Sequence, residues 1–326
     1  MTVSTPPLRP HLRPHLLVLI PLPPAFVQRL AEQYELSYEP KGLSSARWEE
    51  LALRHTPAVL TNGSTGLSEA QMRALPGLGL VCSFGAGYES IDLAAAQALG
   101  LAVTHAPGVN NATVADHALA LMLALARGLA PLDRAVKAGL WEQSRAERPT
   151  LNRGRLGLIG IGNIGQQIAR RAAAFDMQIG YHSRQPRPEL PYRHFADVQS
   201  LAAESDFLVL ACPGGAATRH LVNRPVLRAL GPQGFVVNVA RGSVLHTGDL
   251  IEALRAGEIA GAGLDVLEGE PQVPEALLSM HQVLLSPHIS GRSPDAQRAQ
   301  MAGLTANLDA FFAGQPLPTP VPEMTR

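Results

Sequence analysis

The sequence predicts an α/β protein built on parallel sheets. Three observations predict it. Short apolar runs of strand length recur along the chain, helical segments separate them, and the alternation occurs twice, before and after a long Ala- and Leu-rich stretch. Strands joined through helices form βαβ units, whose crossovers leave neighbouring strands parallel. With 326 residues there is room for about two domains of roughly 100–200 residues each.

In the first series the apolar run at 16–20 closes at Pro21 and reads as a buried strand. Residues 25–33 read as a helix. A second strand at 58–61 ends at the turn signal Asn62-Gly63, and a third at 78–84 ends at Gly85-Ala86-Gly87. Residues 91–99 read as a helix and 102–104 as a strand. A helix follows from Val114 to about 129. It is apolar most of the way round, which predicts burial between domains or subunits.

The second series opens with a strand at 156–159 and a helix at 166–174. Further strands are predicted at 178–181, 207–211, 235–239, 262–266 and 284–286. Beyond Ala313 the chain is Pro-rich and is expected to wrap loosely over the surface. No repeat of solenoid length occurs.

Composition narrows the function. Hydrophobic residues make up 46% and charged residues 17%, enough apolar material for a core and too little charge for a disordered chain. Lys+Arg and Asp+Glu balance at 27 each, so neither nucleic acid nor an anionic membrane is an expected partner. The two cysteines, Cys82 and Cys212, make no disulfide framework and no zinc spacing; both read as structural, and no metal is expected. No apolar run approaches the ~18 residues that span a bilayer. The start is basic and acid-free, but Pro6, Pro7, Pro10 and Pro14 would break a targeting helix, so a frayed tail and a cytoplasmic protein are expected.

The strongest local motif is Gly160-Ile161-Gly162-Asn163-Ile164-Gly165, directly after a strand and opening a helix. Gly160 permits the tight turn, Gly162 lets the backbone approach a pyrophosphate, and Gly165 lets helix and strand pack closely. The free N–H groups of Asn163, Ile164 and Gly165 at the helix start then face the phosphates. About 20 residues on, an NAD site carries an acid for the ribose 2′-OH. Here the chain reads Tyr181-His182-Ser183-Arg184, without an acid. Ser183 offers a hydroxyl and Arg184 a planar cationic fork for a 2′-phosphate, with Arg187 near by. NADP(H) is the preferred cofactor on this reading, with NAD(H) a weaker one.

Hydride transfer to a 2-oxo acid requires a cation for the carboxylate, a polarised carbonyl and a proton donor of near-neutral pKa. Arg241, the acids Asp265, Glu268 and Glu270, and His288 each follow one of three successive late strands, where ligands bind in open α/β sheets. Arg241 can grip a carboxylate bidentately. His288 is the natural proton donor, and a carboxylate beside it would orient it.

These ordered motifs resemble the D-isomer-specific 2-hydroxyacid dehydrogenase family, most nearly its glyoxylate/hydroxypyruvate reductases. The pieces are residues 85–92, 108–121, 160–165, 211–223, 238–242, 263–271 and 287–289. The resemblance implies that Arg241 binds the substrate carboxylate and polarises its carbonyl, that His288 is the general acid and base, and that Glu270 rather than Glu268 pairs with it. It implies that the N–H groups of Ala86 and Gly87 complete the carboxylate site. Cys212, Pro213 and Thr218 would run along the cofactor, Ala240 beside the nicotinamide, and Asp265 near its carboxamide.

It also implies two Rossmann-like domains, with the cofactor domain (105–287) inserted into a discontinuous, flavodoxin-like substrate domain (1–104 and 288–326). A homodimer is implied too, with Trp141 in an arm that reaches the partner. The pocket wall is expected from the 62–66 turn with Trp48 or Leu53, for a small 2-oxo or 2-hydroxy acid. The run Ser290-Gly291-Arg292-Ser293 departs from the family pattern, and Arg292 either meets a second anionic group or faces solvent. Alternatives on the same fold are a formate or phosphite dehydrogenase, and a dinucleotide-binding corepressor-like protein.

Overall fold

A computed structural model describes residues 13–52 and 55–324. The expectations for the N-terminal tail and for Leu53 lie outside the described residues. The chain divides into two compact units, 1–109 with 293–326, and 110–292. His288 therefore belongs to the second, continuous unit.

The first unit begins β1 (His15–Val18), α1 (Pro24–Gln33), β2 (Glu35–Tyr38), α2 (Ser45–Ala52), β3 (Ala58–Thr61), α3 (Glu69–Arg73), β4 (Leu80–Ser83), α4 (Leu93–Ala98) and β5 (Ala102–Thr104). The five strands are parallel in the order β2-β1-β3-β4-β5, a doubly wound arrangement of flavodoxin type. Both faces are covered, so β1, β3 and β4 are buried along their whole length rather than on alternate residues. Successive side chains still go to opposite layers. Leu17, Val59 and Val81 pack with Leu51, Met72 and Ala96, whereas Leu16, Leu60 and Leu80 pack with Leu30 and Leu308.

The unanticipated β2 is an edge strand of mixed sequence with one buried side chain, Ser37. His15, itself buried, spans Ser37 Oγ and Thr56 Oγ1 at 2.8 Å each. Hydropathy cannot signal a strand held through such a polar bridge.

The second unit holds α5 (Asn111–Arg127), α6 (Leu129–Lys137), β6 (Arg155–Ile159), α7 (Asn163–Ala173), β7 (Gln178–His182), β8 (Arg193–Phe195), α8 (Val198–Ala203), β9 (Phe207–Leu210), α9 (Arg224–Leu230), β10 (Phe235–Asn238), α10 (Thr247–Arg255), β11 (Gly261–Leu264), α11 (Glu275–Leu278) and β12 (Val283–Leu285). Its seven strands, all parallel, run β12-β11-β10-β9-β6-β7-β8. The order reverses at β6 and β9, the switch point where such sheets bind ligands. One face packs Leu208, Leu210, Val236 and Leu264 against α8, α9 and α10. The other packs Leu158, Val209 and Val237 against α5 and α7.

Gly128, at φ 63°, ends α5 and starts α6, and the two helices meet at 55°. Among the described residues no single helix is long and apolar enough to cross a membrane.

The chain then returns to the first unit as α12 (Pro294–Phe312), whose Met301, Leu304 and Leu308 cover one face of its sheet. The Pro-rich end does not wrap loosely, as the sequence suggested. Val321 is fully buried and its N–H donates to Val103 O at 2.9 Å. Thr319 exchanges hydrogen bonds with Asn307 and donates to His105 O at 2.6 Å. Proline density indicates a lack of helix but says nothing of anchoring.

Candidate dinucleotide and active site

The turn from β6 into α7 has the geometry expected of its glycines. Gly160 sits at φ +96°, and a Cβ there would lie 2.7 Å from Cys212 N. A Cβ on Gly165 would lie 2.2 Å from Gly160 O, whereas one on Gly162 would meet nothing within 4 Å. The chain is therefore tight where it turns and packs, and open above Gly162. No side chain caps α7, so its first N–H groups are available to an anion at the positive end of the helix. Glycine-lined space over an uncapped helix start fits a dinucleotide pyrophosphate. The helix begins three residues earlier than hydropathy implies, because its first turn, with Asn163 and Gly165 around Ile164, is helical without a continuous apolar pattern.

Ser183 and Arg184 follow β7. Ser183 Oγ donates to Gln185 O at 2.6 Å, and His194 Nε2 lies 3.2 Å from Ser183 O. Arg184 is exposed and forms no ion pair among the described residues. Arg187 is engaged by Glu189, at 2.5 Å. After β9, Cys212 is partly buried, and burial pushes its thiol up to about 11, which makes it a poor nucleophile. Thr218 Oγ1 donates to Pro213 O at 2.8 Å and so ties that loop.

At the end of β10, the Asn238 side chain brackets the next turn. Its Oδ1 accepts from Ala240 N and its Nδ2 donates to Arg241 O, both at 3.0 Å. The Arg241 side chain runs over Gly214, where a Cβ would lie 2.8 Å from Arg241 Cγ. Beyond β11 and β12, His288 Nδ1 meets Glu270 Oε1 at 2.5 Å. Burial pushes the Glu270 carboxyl up, but the hydrogen bond and charge of His288, with lesser help from Leu267 N and Arg241, hold it below its ordinary value. Glu268 is engaged elsewhere: Oε1 contacts His220 Nε2 at 2.6 Å and Oε2 accepts from Thr247 N at 2.9 Å. The loop therefore carries two carboxylates with separate histidines. Sequence gave no sign of the His220 pair, since 48 positions separate its members.

His288 adopts φ 51°, a left-handed conformation that costs a non-glycine residue about 1–2 kcal/mol. Asp265 supports it. His288 N donates to Asp265 O at 2.8 Å, while the buried Asp265 carboxylate accepts from Ile289 N and Ser290 N at 2.9 Å each and from Ser286 Oγ at 2.7 Å. Burial pushes this carboxyl up, and donors from Ser290, Ser286 and Ile289 outweigh it, leaving the group below its ordinary value.

A carboxyl so depressed stabilises the fold above its ordinary range and loses that contribution as pH falls through its folded value. Asp265→Asn is expected to cost about 2 kcal/mol at neutral pH, and its deficit against the parent should shrink in acid. Denaturant titrations at the two pH values check this; an undiminished deficit in acid would contradict it.

Ala86 and Gly87 lie in the first unit, in the turn after β4. Their carbonyls accept from His105 Nδ1 at 3.0 Å and Ser83 Oγ at 2.6 Å. Among the described residues their N–H groups donate no hydrogen bond, which leaves them available to an anion.

Residues 119–290 match the family described as D-isomer specific 2-hydroxyacid dehydrogenase, NAD binding domain. The chain belongs to the D-isomer-specific 2-hydroxyacid dehydrogenases. A glyoxylate/hydroxypyruvate reductase of Arabidopsis thaliana is 42% identical, over 81% of this chain and 85% of that protein. A glyoxylate reductase of Thermococcus onnurineus is 36% identical over 94% and 96%. Among solved structures, the NADPH-dependent glyoxylate/hydroxypyruvate reductase of Sinorhizobium meliloti, in complex with NADP and malonate, superposes with a TM-score of 0.87 at 36% identity, over 96% of this chain and 98% of that one. The dehydrogenase is thus an NAD(P)-dependent oxidoreductase of 2-hydroxy acids, on a fold its relatives share.

Proposed function

We propose that this dehydrogenase reduces a small 2-oxo acid, glyoxylate or hydroxypyruvate, to the 2-hydroxy acid, with NADP(H) preferred over NAD(H). The observation that carries the proposal is the His288–Glu270 pair, with the charge of Arg241 acting on the same carboxylate. Glu270 takes the Nδ1 proton of His288 in a hydrogen bond, which leaves Nε2 to give a proton to the forming alkoxide and to take it back in oxidation. Arg241 grips the substrate carboxylate and polarises the adjacent carbonyl. The N–H groups of Ala86 and Gly87 are donors suited to a carboxylate. The nicotinamide supplies the hydride when bound. Gly160, Gly162, Asn163, Ile164 and Gly165 hold the pyrophosphate, Cys212, Pro213 and Thr218 border the cofactor, and Ala240 and Asp265 face its nicotinamide end.

The cofactor preference rests on the corner after β7, where no acid repels a 2′-phosphate and Arg184 is exposed and unengaged by any described residue. The S. meliloti relative is itself NADPH-dependent. A homodimer is supported by the apolar side chains that α6 and the arm leave exposed, Leu129, Val136, Leu140 and, at 61%, Trp141. The unpaired Cys82 and Cys212 favour the cytoplasm.

Oxidation of NADPH and NADH, followed by absorbance against glyoxylate, hydroxypyruvate, pyruvate and phenylpyruvate, tests the proposal. Turnover with either of the first two, faster with NADPH, is expected; cofactor binding without turnover of any acid would refute it. Arg184→Ala should weaken NADPH binding about tenfold or more, the worth of a charge-assisted contact, and leave NADH nearly untouched. Equal loss for the two cofactors would remove the 2′-phosphate role.

A further inference from the structure

We propose that His117 is a positioning residue of the reaction: through Ser286 it fixes the Asp265 carboxylate, and thereby the left-handed turn that presents His288. The proposal rests on the assignment of His288 as proton donor. His117 lies on α5, far in sequence from the strand-end loops, and its side chain is one-quarter exposed.

Packing brings it there. At Gly263 on β11 a Cβ would lie 3.2 Å from Leu121 Cβ and from Leu125 Cδ1, so α5 rests directly on that strand. Leu121 is one helical turn after His117 and shares its face. Gly263 is two residues before Asp265 and points the same way. Close approach at Gly263 thus sets His117 over the end of β11. There His117 Nε2 lies 2.9 Å from Ser286 Oγ and 3.6 Å from Asp265 Oδ1.

The proton count fixes the direction of each bond. An ionised carboxylate only accepts, so Ser286 spends its single hydroxyl proton on Asp265 Oδ1, at 2.7 Å. Ser286 Oγ can then only accept from His117, and His117 must carry a proton on Nε2. The chain of donation runs His117 to Ser286 to Asp265. On its other side Asp265 holds Ile289 N and Ser290 N, and its carbonyl holds His288 N. A carboxylate held by Ser286, itself fixed from α5 by His117, and by two loop N–H groups cannot rotate, and the turn at φ 51° is determined from both ends. The reacting geometry of His288 depends on that turn, and small misplacements are costly in rate.

Steady-state kinetics of the full-length enzyme, with NADPH and whichever of glyoxylate or hydroxypyruvate it reduces, test this. His117→Leu should lower kcat about tenfold while KM and the Kd for NADPH stay within about twofold. His117→Gln, which keeps an N–H near the same place, should restore kcat to within about threefold of the parent. Ser286→Ala should match His117→Leu, and the double variant should lose little more, as members of one chain do. Full kcat in His117→Leu overturns the proposal. So does a loss that glutamine fails to restore, or one in which KM, Kd and thermal midpoint all worsen together, as general destabilisation would give. His288→Ala measured alongside separates the two readings. If it keeps turnover, the assignment of His288 falls and this proposal with it. If it abolishes turnover while His117→Leu runs at full rate, only the role of His117 falls.

Discussion

His288→Ala will lower kcat by about a thousandfold, within the range that a positioned general acid contributes, and will leave the Kd for NADPH within about twofold. The separation follows from where the residue sits. His288 hangs on a turn beyond β12, far in sequence from the Gly160–Gly165 cradle, and among the described residues its imidazole hydrogen-bonds Glu270. Removing the imidazole deletes the proposed Nε2 proton source without touching the uncapped start of α7. It also leaves Glu270 partly buried without its main counter-charge, so the carboxyl rises towards its ordinary value or above. Cofactor titration by fluorescence and single-turnover kinetics measure the two halves. Turnover at the parent rate would take His288 out of the mechanism.

Arg241→Ala will affect both constants: KM should rise by about tenfold or more and kcat fall by about a hundredfold, because in the proposed reaction the guanidinium serves the substrate carboxylate and the developing charge on the carbonyl oxygen together. Arg241→Lys will recover little, since an ammonium cannot reproduce a two-pronged planar contact. The local frame survives either change: Ala240 and residue 241 are held through their backbone by the Asn238 side chain. A normal KM in the alanine variant, in steady-state assays with glyoxylate and hydroxypyruvate, would require another anchor for the carboxylate.

Strands whose two faces are buried announce themselves in sequence, which is why β3, β5 and the late strands were legible to within a residue or two. The candidate residues on them stood out because each follows a strand end. Elements held by polar bridges or by amphipathic helices of mixed composition were not. β2 depends on His15 and Ser37, and β8, α6 and α8–α10 carry too few apolar residues in a row to stand out. In the site, His288 and Glu270 lie 18 positions apart, on the loops after β12 and β11, and Glu268 with His220 spans 48. His117 and Ser286 are separated by 169. Such a pairing exists only once α5 has docked on Gly263, and its one trace in sequence is a glycine inside a buried strand.

The sheet of the first unit takes its cover from both sides of the second unit in the chain. Leu16, Leu60 and Leu80 face α12, whose first residue is 294, and Val103 receives the N–H of Val321. During synthesis this sheet must wait, with an apolar face partly open, while some 180 residues of the nucleotide-binding unit are made. That unit is continuous from 110 to 292 and has all its strands before α12 leaves the ribosome. Assembly therefore runs from the middle outward, and the N-terminal segment, although made first, is the last to gain its full core. Any slowing of translation within α12 prolongs the interval in which the β1–β3–β4 face has only the cover of α1 and is prone to association with other nascent chains.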